Sequence, residues 1–407
     1  MSHKYLALVV ALTLLVGCTT GSGATPTPSD TYIASTSEPL IASTATAIST
    51  PEAASDSLKA KVDQVFAMYD KPDSPGCALG VIQDGQFIYK RGYGMANLEH
   101  NIPITPSSIF RIGSTSKQFT AAAILLLAEE GKLSLDDDIR TYLPEFPDYR
   151  TPVTIRHLLH HTSGIPDYLR LSYAAGYGED DYVTVAEVIA MFASQEELEF
   201  GPGEEHRYSN SGYFLLSQIV QQASGKSLRE YAEEKIFRPL GMTNTHFHDD
   251  HNEIVPNRAS GYAWEHGRLR ISMTNLDMVG DGGVFTMVED LFHWDQNFYH
   301  QRIGDPQFLD RMLTRGILNN GDTLDYASGL IHGTYRGLKT ISHPGGFVGF
   351  RAEMIRFPEQ RFTVICLSRR TTKPGQRSGG DAPSLHRPFP CPPRTCQRDH
   401  LWGSIPT

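Results

Sequence analysis

The stretch RIGSTSKQFTAAAILLLAEEGKLS, Arg111–Ser134, decides how the rest of the chain is read. It sets a small polar cluster with a lysine in it directly before the apolar run Thr120–Ala128. Such a run forms a buried helix, and a lysine at its head is unfavourable unless it reaches water or is kept there for chemistry. Ser114 and Lys117 are three residues apart, one turn along the same helix face. No other serine in the chain has a lysine at that spacing. Ser114 is expected at the helix N-terminus, where free N–H groups and the dipole favour an alkoxide or oxyanion. Desolvation lowers the pKa of Lys117, so it can take the serine proton or, while charged, hold a neighbouring base anionic. Gly113 leaves space for an approaching substrate. The pair alone does not separate this reading from an N-cap serine with a snorkelling lysine.

Two further elements change the balance. Tyr208-Ser209-Asn210 is the only Tyr-x-Asn in the chain and follows the turn-rich Phe200–Arg207. A tyrosine near an ammonium is expected to lose its proton more easily and to serve as general base and acid. Asn210 offers both a donor and an acceptor to a substrate amide. The plain alternative is a core tyrosine beside a capping Asn. His343-Pro344-Gly345-Gly346 stands where a strand ends. Its glycines would let substrate backbone lie along the strand edge and let an N–H face an oxyanion. The plain alternative is a hairpin turn.

Around these elements the chain reads as α+β. Ser55–Asp70 is an amphipathic helix. Cys77–Gly94 is two strands joined by Asp84-Gly85, a strong hairpin signal. Near the other end, four strand-like runs lie between Tyr326 and Ser368. Between these β regions the pattern is mostly helical, with capping boxes at Thr184–Glu187 and Ser227–Glu230. The expectation is an antiparallel sheet built from both chain ends, flanked by helices, with a mostly helical insert over about 113–324.

An SxxK helix, then Tyr-x-Asn, then a Lys- or His-x-Gly strand resembles the serine penicillin-recognising hydrolases. Tyrosine in the second element is similar to the branch of class C β-lactamases, D-Ala-D-Ala carboxypeptidases, D-amino-acid peptidases and related esterases. Stretches such as TIRHLLHHTSGIPDY (154–168), IFRPLGMTNT (236–245) and GDGGVFTMVEDL (280–291) look similar too. The likeness covers about 57–368. It implies a β-lactamase/transpeptidase-like fold and an acyl-enzyme at Ser114. Lys117 and Tyr208 would share the proton work, Tyr208 protonating the leaving group and later activating water. Asn210 would contact the acyl side chain, while His343 and Gly345 would bind substrate. The oxyanion hole would be the N–H groups of Ser114 and Gly346. A histidine at 343 resembles peptidases and esterases more than efficient β-lactamases, since imidazole holds a carboxylate less firmly than an ammonium does. The implied activity is peptidase, carboxypeptidase or esterase. The alternatives are a weak class C-like β-lactamase and a binding module that does not turn over. Lys373-Pro374-Gly375 also fits the third element, but no strand surrounds it.

The 407 residues, 40% hydrophobic and 20% charged, give ordinary globular composition. A net charge of −10 with no basic stripe argues against nucleic acid as partner. The expected partner is a small-molecule or peptide substrate bearing an acyl group, with peptidoglycan-derived compounds as one source. Lys4 and the apolar Tyr5–Leu15 fit a secretory signal, and Leu15–Cys18 (LVGC) resembles a lipobox. The expectation is a signal over 1–17, a lipid anchor on Cys18 and a Ser/Thr/Pro-rich tether over 18–55, placing a hydrolase domain (56–368) at the cell envelope. Cys77 and Cys366 read as core thiols. The segment 369–407, with seven Arg or Lys, two acids and seven prolines, is expected to be disordered. A reading-frame shift near Ser368 would explain the change, and would leave a sheet face partly uncovered. His157, His160 and His161, and the group His246, His248, Asp249, Asp250, His251 and Glu253, lack the HExxH spacing. No catalytic metal or cofactor is expected.

Overall fold

Asp84 and Gly85 both take left-handed φ values, 51° and 78°. Two such residues form the turn that matches the twist of an antiparallel pair. They join strand β1 (Cys77–Gln83) to β2 (Gln86–Tyr93). The structure is a computed structural model that describes residues 51–178 and 181–369. The expected signal, Cys18, the tether up to residue 50 and the tail beyond Arg369 lie outside the described residues.

The closing strands are β3 (Ile331–Tyr335), β4 (Leu338–Ser342), β5 (Gly345–Phe347), β6 (Phe350–Phe357) and β7 (Phe362–Arg369). They join β1 and β2 in one antiparallel seven-stranded sheet of order β3-β4-β6-β7-β1-β2, with β5 paired to β6. β7 runs beside β1 from Cys77↔Ser368 to Gln83↔Phe362, so the two ends of the domain meet in mid-sheet. Cys77 and Cys366 carry free thiols.

Four details depart from the sequence reading. The run Phe347–Phe357 is two strands, because Val348 turns the chain at φ 43° between Phe347 and Phe350. The first helix, α1 (Pro51–Phe66), begins inside the expected tether. Proline suits the first helical turn and Glu-Ala-Ala continues it. Arg369 belongs to β7 rather than the tail: it is 3% exposed and donates to the carbonyl oxygens of Met95 (2.6 Å) and Ala96. Among the described residues there are also three small sheets, one of them pairing Val284–Thr286 with Phe110–Arg111 and His246–Phe247 in antiparallel register. Strands of two or three residues leave no periodic signal.

The helix α2 (Lys117–Glu129) forms the centre of the core. Phe119, Ala121–Leu125 and Leu127 are fully buried, so the helix is covered all round, as its unbroken apolar sequence requires. It packs on α3 (Asn210–Ser224). Truncating Leu125 to alanine would cost about 2–5 kcal/mol. A further helix, α4 (Val288–Asn297), lies on β1 and β7. From it Asp295 accepts from Arg356 Nε and Thr363 Oγ1, both at 2.8 Å, with the ion pair almost wholly buried.

Candidate active site

The apolar helix is entered through a single tight turn, Gly113–Ser116, which places Ser114 ahead of Lys117. Gly113 sits at φ 52°, and a Cβ there would lie 2.7 Å from the Gly346 nitrogen. Its smallness therefore allows the close approach of β5 to the turn. The same holds for Gly345, whose Cβ would fall 1.9 Å from the Ile112 oxygen. It is buried against the Ser114 turn, so backbone packing rather than substrate contact requires this glycine. Gly346 is exposed, with its nitrogen beside that turn. The Ser114 and Gly346 backbones thus stand next to each other. Thr115 Oγ1 ties them further, donating to His343 O at 3.0 Å.

Lys117 does not snorkel, being fully buried. Its Nζ donates to Asp281 O at 2.6 Å, Asn210 Oδ1 at 2.9 Å and Ser114 Oγ at 3.3 Å. Burial pulls its pKa down to about 8, against the opposing pull of Asp281 and Asp167. The segment Gly280–Val284 is stapled along α2: Thr120 Oγ1 donates to Gly280 O at 2.7 Å, and Val284 N to Ser116 Oγ at 3.1 Å.

Tyr208 borders the same group: its ring centroid is 4.8 Å from Lys117 Nζ. Burial pushes the phenol well above its usual pKa; the Ser114 hydroxyl opposes this, and Asp281, Tyr213 and Asp167 add to it. The expectation that the ammonium would ease its deprotonation is therefore reversed, because desolvation dominates. Asn210 is oriented from behind, its N–H (2.7 Å) and Nδ2 (3.1 Å) both donating to Asp167 Oδ2.

His343 is 2% exposed. Its Nδ1 faces Pro344 O at 2.8 Å and its Nε2 faces Tyr326 OH at 3.1 Å. Because a carbonyl only accepts, Nδ1 carries a proton. Both nitrogens are thus turned to protein groups, which corrects the expectation of a substrate-binding side chain. Its ring stays 6.1 Å from that of Tyr208.

Asp167, Tyr168, Asp281, Tyr326 and His161 escaped the sequence reading as members of the site. Asp281 is buried and accepts from Tyr168 OH at 3.2 Å. His161 holds the Tyr208 segment from several sides. Its O accepts from Arg207 N at 2.9 Å and its Nδ1 from Ser209 N at 3.2 Å, while its ring lies 4.3 Å from that of Tyr208. Its φ of 57° is a left-handed value that this side chain adopts at a cost. A shallow surface depression is bounded by Leu169, Tyr173, Tyr177, Val183, Leu276 and Phe347, with Asp181 and Thr274 also on its lining.

A hydroxyl, a buried amine and a buried phenol gathered at the mouth of a helix, beside the Gly346 backbone, can support attack of that hydroxyl on an acyl carbon. The chain belongs to the Beta-lactamase family, whose sequence profile matches residues 62–383. It is 34% identical over 302 residues to penicillin-binding protein 4* of Bacillus subtilis, covering 70% of this chain and 66% of that protein. A D-aminopeptidase of Gluconobacter oxydans is 30% identical over 77% of this chain and 59% of its own length. The chain therefore spans a little under two thirds of these curated relatives. Among solved structures, the octameric penicillin-binding protein homologue from Pyrococcus abyssi superposes with a TM-score of 0.67 at 31% identity, covering 80% of this chain and 75% of that one.

Proposed function

We propose that this protein is a serine hydrolase that passes through an acyl-enzyme at Ser114, acting on D-amino-acid peptides, amides or esters. The observation that carries the reading is the convergence of Lys117 Nζ, 3.3 Å from Ser114 Oγ, with the buried Tyr208 ring, 4.8 Å from that amine. A pKa of about 8 leaves part of Lys117 neutral near physiological pH, so its lone pair takes the Ser114 proton as Oγ attacks the carbonyl carbon. The oxyanion develops beside the Ser114 and Gly346 nitrogens at a helix N-terminus. Tyr208, held protonated by burial, gives its proton to the leaving nitrogen or oxygen and regains one from Lys117 across the site. Water then enters by the reverse of these steps.

The D-aminopeptidase relative supports a D-amino-acid substrate. The inward-turned His343 leaves no ammonium in that position for a lactam carboxylate, which disfavours an efficient β-lactamase. The test is a panel of p-nitrophenyl esters, D- and L-amino-acid amides, a D-Ala-D-Ala peptide and nitrocefin. Turnover of D-amides or esters above nitrocefin is the expected result. Efficient nitrocefin hydrolysis would reverse the preference, and acylation without turnover would favour a binding module. The lipobox-like Leu15–Cys18 supports placement at the cell envelope, checked by incorporation of labelled palmitate into the chain but not into Cys18→Ala.

A further inference from the structure

The sequence His246-Phe247-His248 alternates across a strand, so both imidazoles fall on one face. His246–Phe247 pairs with Phe285–Val284, and His248 is 2% exposed. His246 Nε2 lies 3.3 Å from His248 Nδ1. Glu253 Oε2 stands 3.9 Å from the first and 3.6 Å from the second. Ligand atoms around a tetrahedral ion with bonds of about 2.0–2.2 Å sit roughly 3.3–3.5 Å apart. Three atoms from three side chains therefore already mark one triangular face of such a shell.

The support also fits a cation. Arg229 donates to both Glu253 oxygens at 2.7 Å and to Asp249 Oδ1 at 2.9 Å. Two carboxylates, Asp249 and Glu253, thus face Arg229 beside the imidazoles, with Arg111 and Arg258 as further cations near His248. The carboxylate is held from behind, as ligating carboxylates are. Other candidates in the segment are engaged elsewhere: His251 N donates to Asp277 Oδ1 at 2.7 Å, and His251 Nδ1 faces Asp277 Oδ2 at 2.9 Å. Among the described residues, no other cluster of three or more His, Cys, Asp or Glu brings its ligand atoms together this way.

We propose that His246, His248 and Glu253 bind one divalent transition-metal ion of the zinc class, with water completing the shell. Two imidazoles and one carboxylate suit that class rather than calcium or magnesium, which prefer all-oxygen shells. The role is structural. His248 N donates to Gly283 O at 2.8 Å, within the Gly280–Val284 segment whose Asp281 carbonyl accepts from Lys117. An ion here would clamp that segment to the strand and to Arg229, two layers behind the serine chemistry.

The test uses the full chain, stripped with chelator and titrated with Zn2+ by calorimetry and with Co2+ by visible absorption. The expected result is one ion per chain, a low-symmetry Co2+ spectrum and a thermal transition raised by Zn2+. His246→Ala and His248→Ala should each weaken binding more than ~100-fold, beyond the loss of an outer-shell partner. His251→Ala, in the same segment but outside the cluster, should bind as the parent does. His246→Gln serves if an alanine variant fails to fold, since this half-buried position tolerates an amide. No stoichiometric binding, or affinity unchanged in the His246 and His248 variants, would overturn the proposal.

Discussion

The Lys117 amine donates to the main-chain carbonyl of Asp281 at 2.6 Å, across 164 residues of sequence. With Asn210 and Ser114 as its other partners, all three ammonium hydrogens are committed when the lysine is charged. When it is neutral, the free lone pair is left for Ser114. The amine is thus aimed by backbone and amide groups that do not titrate.

A pH profile follows. Burial lowers Lys117 to about 8, so the neutral amine grows as pH rises through that value. The kcat/KM for a p-nitrophenyl ester should climb with an apparent pKa near 8 and level off above it. Lys117→Arg cannot deprotonate and should lose on the order of 10²–10⁴-fold with a flat profile. A parent profile that falls with pH through this range would contradict the assignment of the base.

Tyr208→Phe removes the acid while keeping the ring. An amide, whose leaving nitrogen needs a proton, should lose on the order of 10²–10⁴ in kcat. A p-nitrophenyl ester, whose leaving group departs as an anion, should lose much less. Equal losses on both substrates would deny Tyr208 the role of proton donor.

Gly345→Ala tests the close approach of β5. A Cβ 1.9 Å from the Ile112 oxygen must push the strand from the Ser114 turn, and a displacement of about 1 Å can cost on the order of 10²-fold in acylation. Measured as the second-order labelling rate by a fluorophosphonate, the loss should appear with cooperative unfolding preserved. An unchanged rate would mean that the strand and turn are not coupled.

Asp295→Ala leaves Arg356 buried without its charge partner. The expected cost is about 3–5 kcal/mol in urea unfolding, from a residue outside the site. A change below about 1 kcal/mol would show that the pair is dispensable to the sheet.

What could be read from sequence follows physical range. The Ser114–Lys117 pair, the Asp84-Gly85 turn and both capping boxes are local, so spacing and φ preference disclose them. The family likeness supplied the order of the three elements, which spacing within any one of them does not contain. The contact of Asp281 with Lys117 was invisible because it runs through the main-chain carbonyl, which any residue carries. His161 was weighed only as a metal ligand, because its left-handed φ and its contact with Ser209 exist only in the folded chain. The direction of the Tyr208 shift was misjudged for the same reason: the neighbouring amine could be inferred, but the burial that raises the phenol could not.

The most direct measurement is intact-mass and peptide-mapping analysis of the protein quenched during reaction with an activated D-amino-acid ester. A single acyl adduct on the peptide carrying Ser114, absent from Ser114→Ala and long-lived in Tyr208→Phe, is the predicted result. An adduct on another residue, or one that persists in Ser114→Ala, would contradict the account.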